Sequence, residues 1–208
     1  MASFYERRIL PGLISCACGA RPIGKQRAKV VPSAAGKVLE LGIGGGLNLA
    51  FYDPAKVSSV TGVDPNEGLR DRARAAPRAD GLAVEVLEGQ AEQLPFEAGA
   101  FDCIVCTYTL CSVASPAAAL VEARRVLKPG GRFLFSEHGL APDAGVQRWQ
   151  RRIEPLWKRI AGGCHLTRPV AETIRAAGFA LDRVETMYLP GTPRPMGWSE
   201  WGCAVNPS

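Results

Sequence analysis

The 208-residue sequence contains no apolar run long enough to cross a bilayer and no block of five or more like charges. A membrane-spanning helix needs roughly 18 to 20 consecutive apolar residues. Proteins dedicated to nucleic acids usually concentrate Lys and Arg in one stripe, whereas here 25 basic and 20 acidic residues are spread along the chain. We therefore expect neither a transmembrane helix nor a nucleic-acid partner.

Histidine and paired cysteines are also scarce. Only His138 and His165 are present, and the seven cysteines include two close pairs, Cys16/Cys18 and Cys103/Cys106. Neither pair has a second CxxC or a histidine pair to complete a zinc site. We therefore expect reduced thiols, no metal and a cytoplasmic location.

A mostly apolar segment at residues 9–20 loosely resembles an export signal because it follows Arg7 and Arg8. Glu6 lies in the charged region before it, and Pro11-Gly12 interrupts it, so the segment is short for a signal sequence. We do not expect export.

Short β-rich apolar runs alternate with helical patterns, which is typical of an α/β fold with a parallel sheet. The predicted strands cover residues 37–41, 57–63, 82–87, 101–106, 132–136, 181–189 and 198–205. Between the fourth and fifth strands, Ser115 can cap a helix that continues to Leu127 and stops at Lys128-Pro129-Gly130-Gly131. Further helices are predicted between residues 167 and 178 and within the first thirty residues.

A glycine-rich loop, Glu40-Leu41-Gly42-Ile43-Gly44-Gly45-Gly46, follows the first strand. Glycine suits a backbone that turns with positive φ close to a ligand, although turns also use glycine for local reasons alone. Leu47-Asn48-Leu49 can start a helix, whose N-terminus offers N–H groups to an anion. A dinucleotide fingerprint needs a third glycine at position 47, so Leu47 disfavours a pyrophosphate ligand.

Asp64 ends the second strand. A carboxylate at this position can accept hydrogen bonds from two ribose hydroxyls. The alternative is a helix cap, because Asp64 also precedes Pro65 and a helical stretch.

Five segments in order resemble the motif series of class I S-adenosylmethionine-dependent methyltransferases. The segments are residues 40–46, Val63-Asp64-Pro65, residues 89–96, Phe101-Asp102 and residues 125–131. The resemblance implies a Rossmann-like α/β fold, with a seven-stranded sheet of order 3-2-1-4-5-7-6, an antiparallel last strand and helices on both faces. It also implies S-adenosylmethionine as the cofactor. We expect one domain over residues 1–208, with a helical cap (1–36), a cofactor-binding half (37–138) and an acceptor-side half (139–208).

The resemblance also implies roles for single residues. The glycines would line the methionine and ribose portions, Asp64 would hold the ribose, and Gln90 and Ala91 would lie beside the adenine. Most relatives carry an acidic residue in place of Gln90, but its amide oxygen can still accept a bond from the adenine amino group. The implied cofactor-binding residues are Glu40, Gly42, Gly44, Gly46, Asn48, Asp64, Pro65, Asn66, Gln90, Ala91 and Thr107.

The rest of the chain resembles the membrane-associated thiol S-methyltransferases. The segments that carry this likeness are residues 108–113, 135–139, 149–150, 155–157 and 163–167. The resemblance implies a small hydrophobic acceptor such as an alkyl thiol. Related bacterial patterns leave open N- or C-methylation of a phospholipid or quinol-like acceptor, or a non-catalytic cofactor-binding module.

His138, at the end of the fifth strand, is the candidate base or acceptor-orienting residue. A surface or capping role is its alternative. A thiol with a pKa of about 8.5 is partly ionised at neutral pH and needs no strong base, whereas an amine near 10.4 does. The candidate acceptor-pocket residues are Cys111, Trp149, Trp157, Cys164 and His165.

Residues 146–161 combine apolar side chains at helical spacing with five Lys and Arg residues. Such a helix either covers the acceptor pocket as a lid or lies on a membrane surface. Pro155 would bend it. The membrane-associated relatives carry an N-terminal hydrophobic anchor that we do not find here, so we favour the lid over peripheral membrane contact.

Overall fold

A computed structural model describes residues 10–207 of the chain. Seven strands form one sheet in the order β3-β2-β1-β4-β5-β7-β6. Strands β1 to β5 are mutually parallel, and β7 runs antiparallel to both β5 and β6. The strands are β1 (Gly36–Leu41), β2 (Val57–Asp64), β3 (Val84–Glu88), β4 (Phe101–Thr107), β5 (Leu127–His138), β6 (Ala180–Tyr188) and β7 (Trp198–Val205). The predicted order and the antiparallel last strand are confirmed.

Helices cover both faces of the sheet. They are α1 (Leu10–Cys18), α2 (Arg21–Val30), α3 (Glu67–Ala75), α4 (Pro116–Val126), α5 (Ala144–Ile160), α6 (Val170–Ala176) and α7 (Arg194–Gly197). The Ser115 hydroxyl accepts a bond from the Ala118 N–H, as predicted for the α4 cap. In the described part of the chain, no helix is both long enough and apolar enough to cross a membrane.

The central strands separate two apolar clusters, because successive strand side chains point to opposite faces. In β5, Phe133 and Phe135 pack with Leu120 and Ile174 on one face, whereas Leu134 packs with Val31 on the other. This two-sided burial explains the continuous apolar runs of β4 and β5.

The prediction that a helix starts directly after the glycine loop is wrong. Residues 47–51 form consecutive turns, in which the Leu49 N–H donates to the Gly46 carbonyl and the Phe51 N–H to the Asn48 carbonyl. The buried Asn48 side chain donates to Glu40 at 2.9 Å, which ties these turns to the end of β1.

The boundary between α4 and β5 also differs from the prediction. The helix ends at Val126, and Leu127 already pairs with Phe101 of β4. The Gly130 N–H donates to the Asn206 carbonyl, and the Asn206 N–H to the Gly131 carbonyl. Long-range pairing therefore extends the strand through a segment that local sequence marks as a turn. Helix α5 continues through Pro155.

Candidate active site

A cavity of about 690 Å³ opens where β1, β2, β3 and β4 end. Ligands of open α/β sheets bind at these carboxyl ends. The lining residues come from the glycine loop, the ends of β2 and β3, the segment after β4, and helices α1 and α2. Of the predicted cofactor residues, the lining includes Gly42, Gly44, Asp64, Pro65, Asn66, Gln90, Ala91 and Thr107.

The glycine loop needs its glycines for two different reasons. Gly42 and Gly44 have φ values of 65° and 54°, which disfavour any residue with a side chain. A Cβ at Gly44 would have no protein atom nearer than 3.8 Å, so it would project into open space. Gly46 is not among the lining residues, and a Cβ there would lie 2.7 Å from the Ala76 Cβ. Gly44 therefore leaves room in the cavity, whereas Gly46 allows the loop to approach the end of α3.

Asp64 lies at the end of β2 with both carboxylate oxygens fixed. One oxygen accepts from the Gly44 N–H at 3.0 Å and the other from the Asn66 N–H at 2.8 Å. Burial raises the pKa of Asp64, and these two bonds and the nearby Arg70 oppose the rise. The helix cap is Asn66, whose side chain accepts from the Leu69 N–H. Asp64 thus lines the cavity, as ribose binding requires, and does not cap α3.

Behind the glycine loop, Glu40 and Asn48 are fully buried and not among the lining residues. The Glu40 carboxylate accepts from the Asn48 amide at 2.9 Å and from the Tyr52 hydroxyl at 2.7 Å. Burial raises the pKa of Glu40 to about 7. Asn48 also donates to the Thr107 hydroxyl at 3.0 Å. These side chains connect the ends of β1 and β4.

Arg27 of α2 completes this network and was not predicted as a site residue. Its Nη1 donates to Asn48 at 2.7 Å and to Thr107 at 2.6 Å, and its guanidinium lies 5.3 Å from the centre of the Tyr108 ring. Arg27 lines the cavity but is only 6% exposed, and its Nε has no hydrogen-bond partner among the described residues. A largely buried cation in a cavity wall is suited to hold an anionic ligand group.

One sequence feature could have identified Arg27. Ile23, Arg27 and Val30 have the i, i+4, i+7 spacing of one helix face. The neighbouring Lys25 and Lys29 make Arg27 look like part of a solvent-exposed basic segment. The signal that would have identified Arg27 as a site residue is its position, as a cation, on the apolar face of an amphipathic helix.

The end of the cavity lined by α1 and the segment after β4 contains several apolar side chains. They include Ile14 and Cys18 of α1 and Val113 and Ala114 of the segment after β4, and Tyr108 forms part of the wall. Tyr108 has a φ of 54°, which costs energy for a residue with a side chain. Burial raises the pKa of the Cys18 thiol. This end therefore suits a small hydrophobic group.

His138 lies behind Tyr108 and not among the lining residues. The two ring centres are 4.8 Å apart in an edge-to-face arrangement. The Nδ1 atom of His138 is buried and has no partner in the described part of the chain. Burial lowers the pKa of His138 to about 4, so the imidazole is neutral at physiological pH.

The other candidate acceptor residues lie outside the cavity lining. Cys111 and Cys164 are buried, and His165 is half-buried with its ring nitrogen 3.2 Å from Glu154. Trp157 is half-buried on α5, whereas Trp149 is 56% exposed. No α5 side chain is among the described lining residues, so in this structure the apolar stripe of α5 does not cover the cavity.

Glu137 organises the segment after β4 and was not singled out from the sequence. Its buried carboxylate accepts from the backbone N–H groups of Thr109, Leu110 and Cys111 at 2.6, 2.9 and 3.2 Å. Burial raises the pKa of Glu137 to about 7, and the three bonds oppose that rise. Residues 10–207 hold no group of three or more His, Cys, Asp or Glu side chains suited to a metal ion.

Comparisons with known proteins agree with this geometry. Residues 39–135 match a family described as a methyltransferase domain. Human thiol S-methyltransferase TMT1B is 38% identical over 180 residues, which cover 81% of this chain and 73% of that protein. Demethylmenaquinone methyltransferase of Clavibacter sepedonicus is 34% identical over 169 residues, which cover 73% and 68% of the two chains.

Solved structures share the fold. A methyltransferase of Haloferax volcanii, determined with its Trm112 activator, superimposes with a TM-score of 0.73 at 18% identity and covers 98% of this chain and 96% of its own. An S-adenosylmethionine-dependent methyltransferase of Mesorhizobium loti has a TM-score of 0.66 at 23% identity, with 90% and 98% coverage. Together with the sequence relatives, these matches show that the chain belongs to the class I S-adenosylmethionine-dependent methyltransferases.

Proposed function

We propose that the protein transfers a methyl group from S-adenosylmethionine to a small hydrophobic thiol. The cofactor supplies an electrophilic methyl group on a sulfonium. The protein must mainly align this methyl group with the acceptor and exclude water.

The cavity has the groups needed to hold each part of the cofactor. Asp64 would accept from the ribose hydroxyls, and Gln90 and Ala91 would lie at the adenine. Arg27, a residue of the cavity wall, would bind the methionine carboxylate. The buried Arg27 has no ion-pair partner within 4.0 Å among residues 10–207, so a ligand carboxylate would balance its charge.

The thiol proposal rests on one observation at the acceptor end of the cavity. Among the described residues, no carboxylate or histidine there is free to act as a base. Of the lining carboxylates, Asp64 accepts from the Gly44 and Asn66 N–H groups at the end of β2, and Glu92 accepts from the Ser115 N–H at 3.1 Å. Glu137 is occupied by three backbone N–H groups, and His138 is separated from the cavity by Tyr108. An acceptor must therefore ionise largely by itself. A thiol with a pKa of about 8.5 does so more readily than an amine with a pKa of about 10.4.

Cys18 is the only cysteine among the described residues that line the cavity, and it would not compete with the acceptor for the methyl group. Burial raises the pKa of Cys18, which keeps its thiol protonated and weakly nucleophilic. All seven cysteines are free, which supports our further proposal of a cytoplasmic, reducing compartment.

The test is release of S-adenosylhomocysteine by purified protein given the cofactor with an alkyl thiol, an aminophospholipid or a quinol. We expect thiol-dependent release. Asp64→Asn should abolish most of it, whereas Asp71→Asn, on the exposed side of α3, should not.

Release with the quinol alone, the class of acceptor named for the Clavibacter relative, would replace the thiol with carbon methylation. Release with the aminophospholipid alone would indicate nitrogen methylation. Tight cofactor binding without turnover of any acceptor would indicate a non-catalytic binding module.

A further inference from the structure

Helix α5 exposes large apolar side chains on one face. Trp149 is 56% exposed and Leu156 is 65% exposed, and their spacing of seven residues places them on the same side of the helix. Only five large apolar residues are exposed in the described part of the chain: Leu13, Val121, Trp149, Leu156 and Ile160. Because three of the five lie on α5, the helix carries a concentrated apolar surface.

Cations flank this surface. Arg148, Arg152 and Arg159 are exposed on α5, and the guanidinium of Arg152 lies 5.6 Å from the centre of the Trp149 ring. Successive residues of a helix are rotated by about 100° around its axis. These arginines therefore lie next to the exposed apolar face, on the flank that is farther from the buried Gln150. The charge and the apolar area are therefore adjacent.

The one acidic residue of α5 is turned inward. The Glu154 carboxylate accepts from the N–H groups of Leu166 and Thr167, at 2.8 and 2.9 Å, and its side chain is only 15% exposed. It does not neutralise the arginines at the surface. The exposed charge of α5 is thus entirely positive.

The same helix leads to the cavity. Gly162, two residues after α5, lines it together with Ile14 of α1, and the neighbouring Leu13 is 50% exposed. The C-terminal end of α5 therefore leads directly to the cavity.

From this arrangement we propose that α5 binds the surface of a bilayer rich in anionic phospholipid. Trp149 and Leu156 insert into the interface, and Arg148, Arg152 and Arg159 contact the headgroups. An apolar face with a cationic border is complementary to such a surface. Binding would bring the acceptor end of the cavity close to compounds dissolved in the bilayer. The inference does not depend on the acceptor being a thiol.

The test is flotation of the full chain with vesicles of phosphatidylcholine alone or with added phosphatidylglycerol. We expect stronger binding to the anionic vesicles and weaker binding as salt rises. Trp149→Ser with Leu156→Ser should weaken binding about tenfold or more. Arg152→Gln should weaken it about fivefold on anionic vesicles only. The matched control is Val121→Ser on α4, which is equally exposed at 59% and should bind like the wild type.

Three results would overturn the proposal: no binding of folded wild-type protein to anionic vesicles, equal binding by the double variant, or self-association that the double variant abolishes without any vesicle binding. The last result would assign the face to a second copy of the chain. Turnover of a water-soluble thiol without vesicles is measured on the same variants and should stay unchanged. Loss of vesicle binding is thereby separated from loss of the proposed activity.

Discussion

At the scale of single residues, Arg27 differs from every other cation of the described chain in combining near-complete burial with a place in the cavity wall. Two of its bonds go to neutral side chains, Asn48 and Thr107. Such bonds hold the guanidinium in position without neutralising its charge. Glu40, which is bonded to the same Asn48, attracts Arg27 without touching it, so the guanidinium can still bind an anionic ligand group.

Arg27→Leu should weaken binding of S-adenosylhomocysteine by about 1.5–3 kcal/mol, the usual contribution of a hydrogen bond to a charged group. Calorimetric titration measures this loss. Methylthioadenosine, which lacks the amino acid portion, should bind wild type and variant equally. Lys25→Leu, on the exposed side of α2, is the matched control. An equal loss for both ligands would mean that Arg27 only supports the fold.

The half-buried imidazole of His138, whose Nδ1 atom is buried, makes the fold sensitive to acid. Its pKa falls from 6.5 in the unfolded chain to about 4 in the folded protein, so the unfolded chain binds the extra proton between these values. Stability should therefore decline as the pH falls from about 6.5 to 4. His138→Phe should remove about 2 kcal/mol of this decline, because the ring can keep its edge contact with Tyr108.

Urea denaturation at several pH values compares the two proteins. Taking the difference between them cancels the opposite effect of Glu40 and Glu137, whose raised pKa values reduce stability as the pH rises from about 4.5 to 7. Parallel pH profiles for wild type and variant would contradict the assignment.

At the scale of elements, the segment after β4 depends on one carboxylate. Glu137 accepts hydrogen bonds from three consecutive backbone N–H groups. Glu137→Ala should lower the free energy of unfolding by at least about 3 kcal/mol, since each buried unsatisfied donor costs about 1–3 kcal/mol. Urea denaturation measures the change, with the exposed Glu85→Ala on β3 as control. A loss below 1 kcal/mol would show that the segment holds its shape without Glu137.

The elements that sequence predicted best are those whose local signals agree with their long-range contacts. Ser115 and Pro116 begin α4 as expected, and the apolar runs of β4 and β5 mark central strands. The failures occur where distant contacts prevail. Leu127 joins β5 because Phe101 pairs with it, and residues 47–51 form turns that Asn48 ties to Glu40. Phe101 belongs to a different strand from Leu127, and Asn48 is also held by Arg27 and Thr107, which are 21 and 59 residues away.

At the scale of the whole molecule, the cofactor end of the cavity was largely predictable, because its residues directly follow parallel strands. The glycine loop and Asp64 lie at the ends of adjacent strands, so sheet topology alone brings them together. The acceptor end was not predictable in this way. Ile14 and Cys18 reach it from α1, whose docking site no local pattern specifies. The same reason explains why Trp149 and Cys111, chosen from motifs, lie outside the lining.

The pH dependence of turnover for a series of thiols of different pKa tests the central claim most directly. If the acceptor ionises without a protein base, the midpoint of kcat/KM against pH should move with the pKa of each thiol. The wild-type protein is assayed for S-adenosylhomocysteine release under identical conditions for every thiol. A midpoint that stays fixed whatever the thiol would contradict the account, because it would place the controlling proton on a group of the protein.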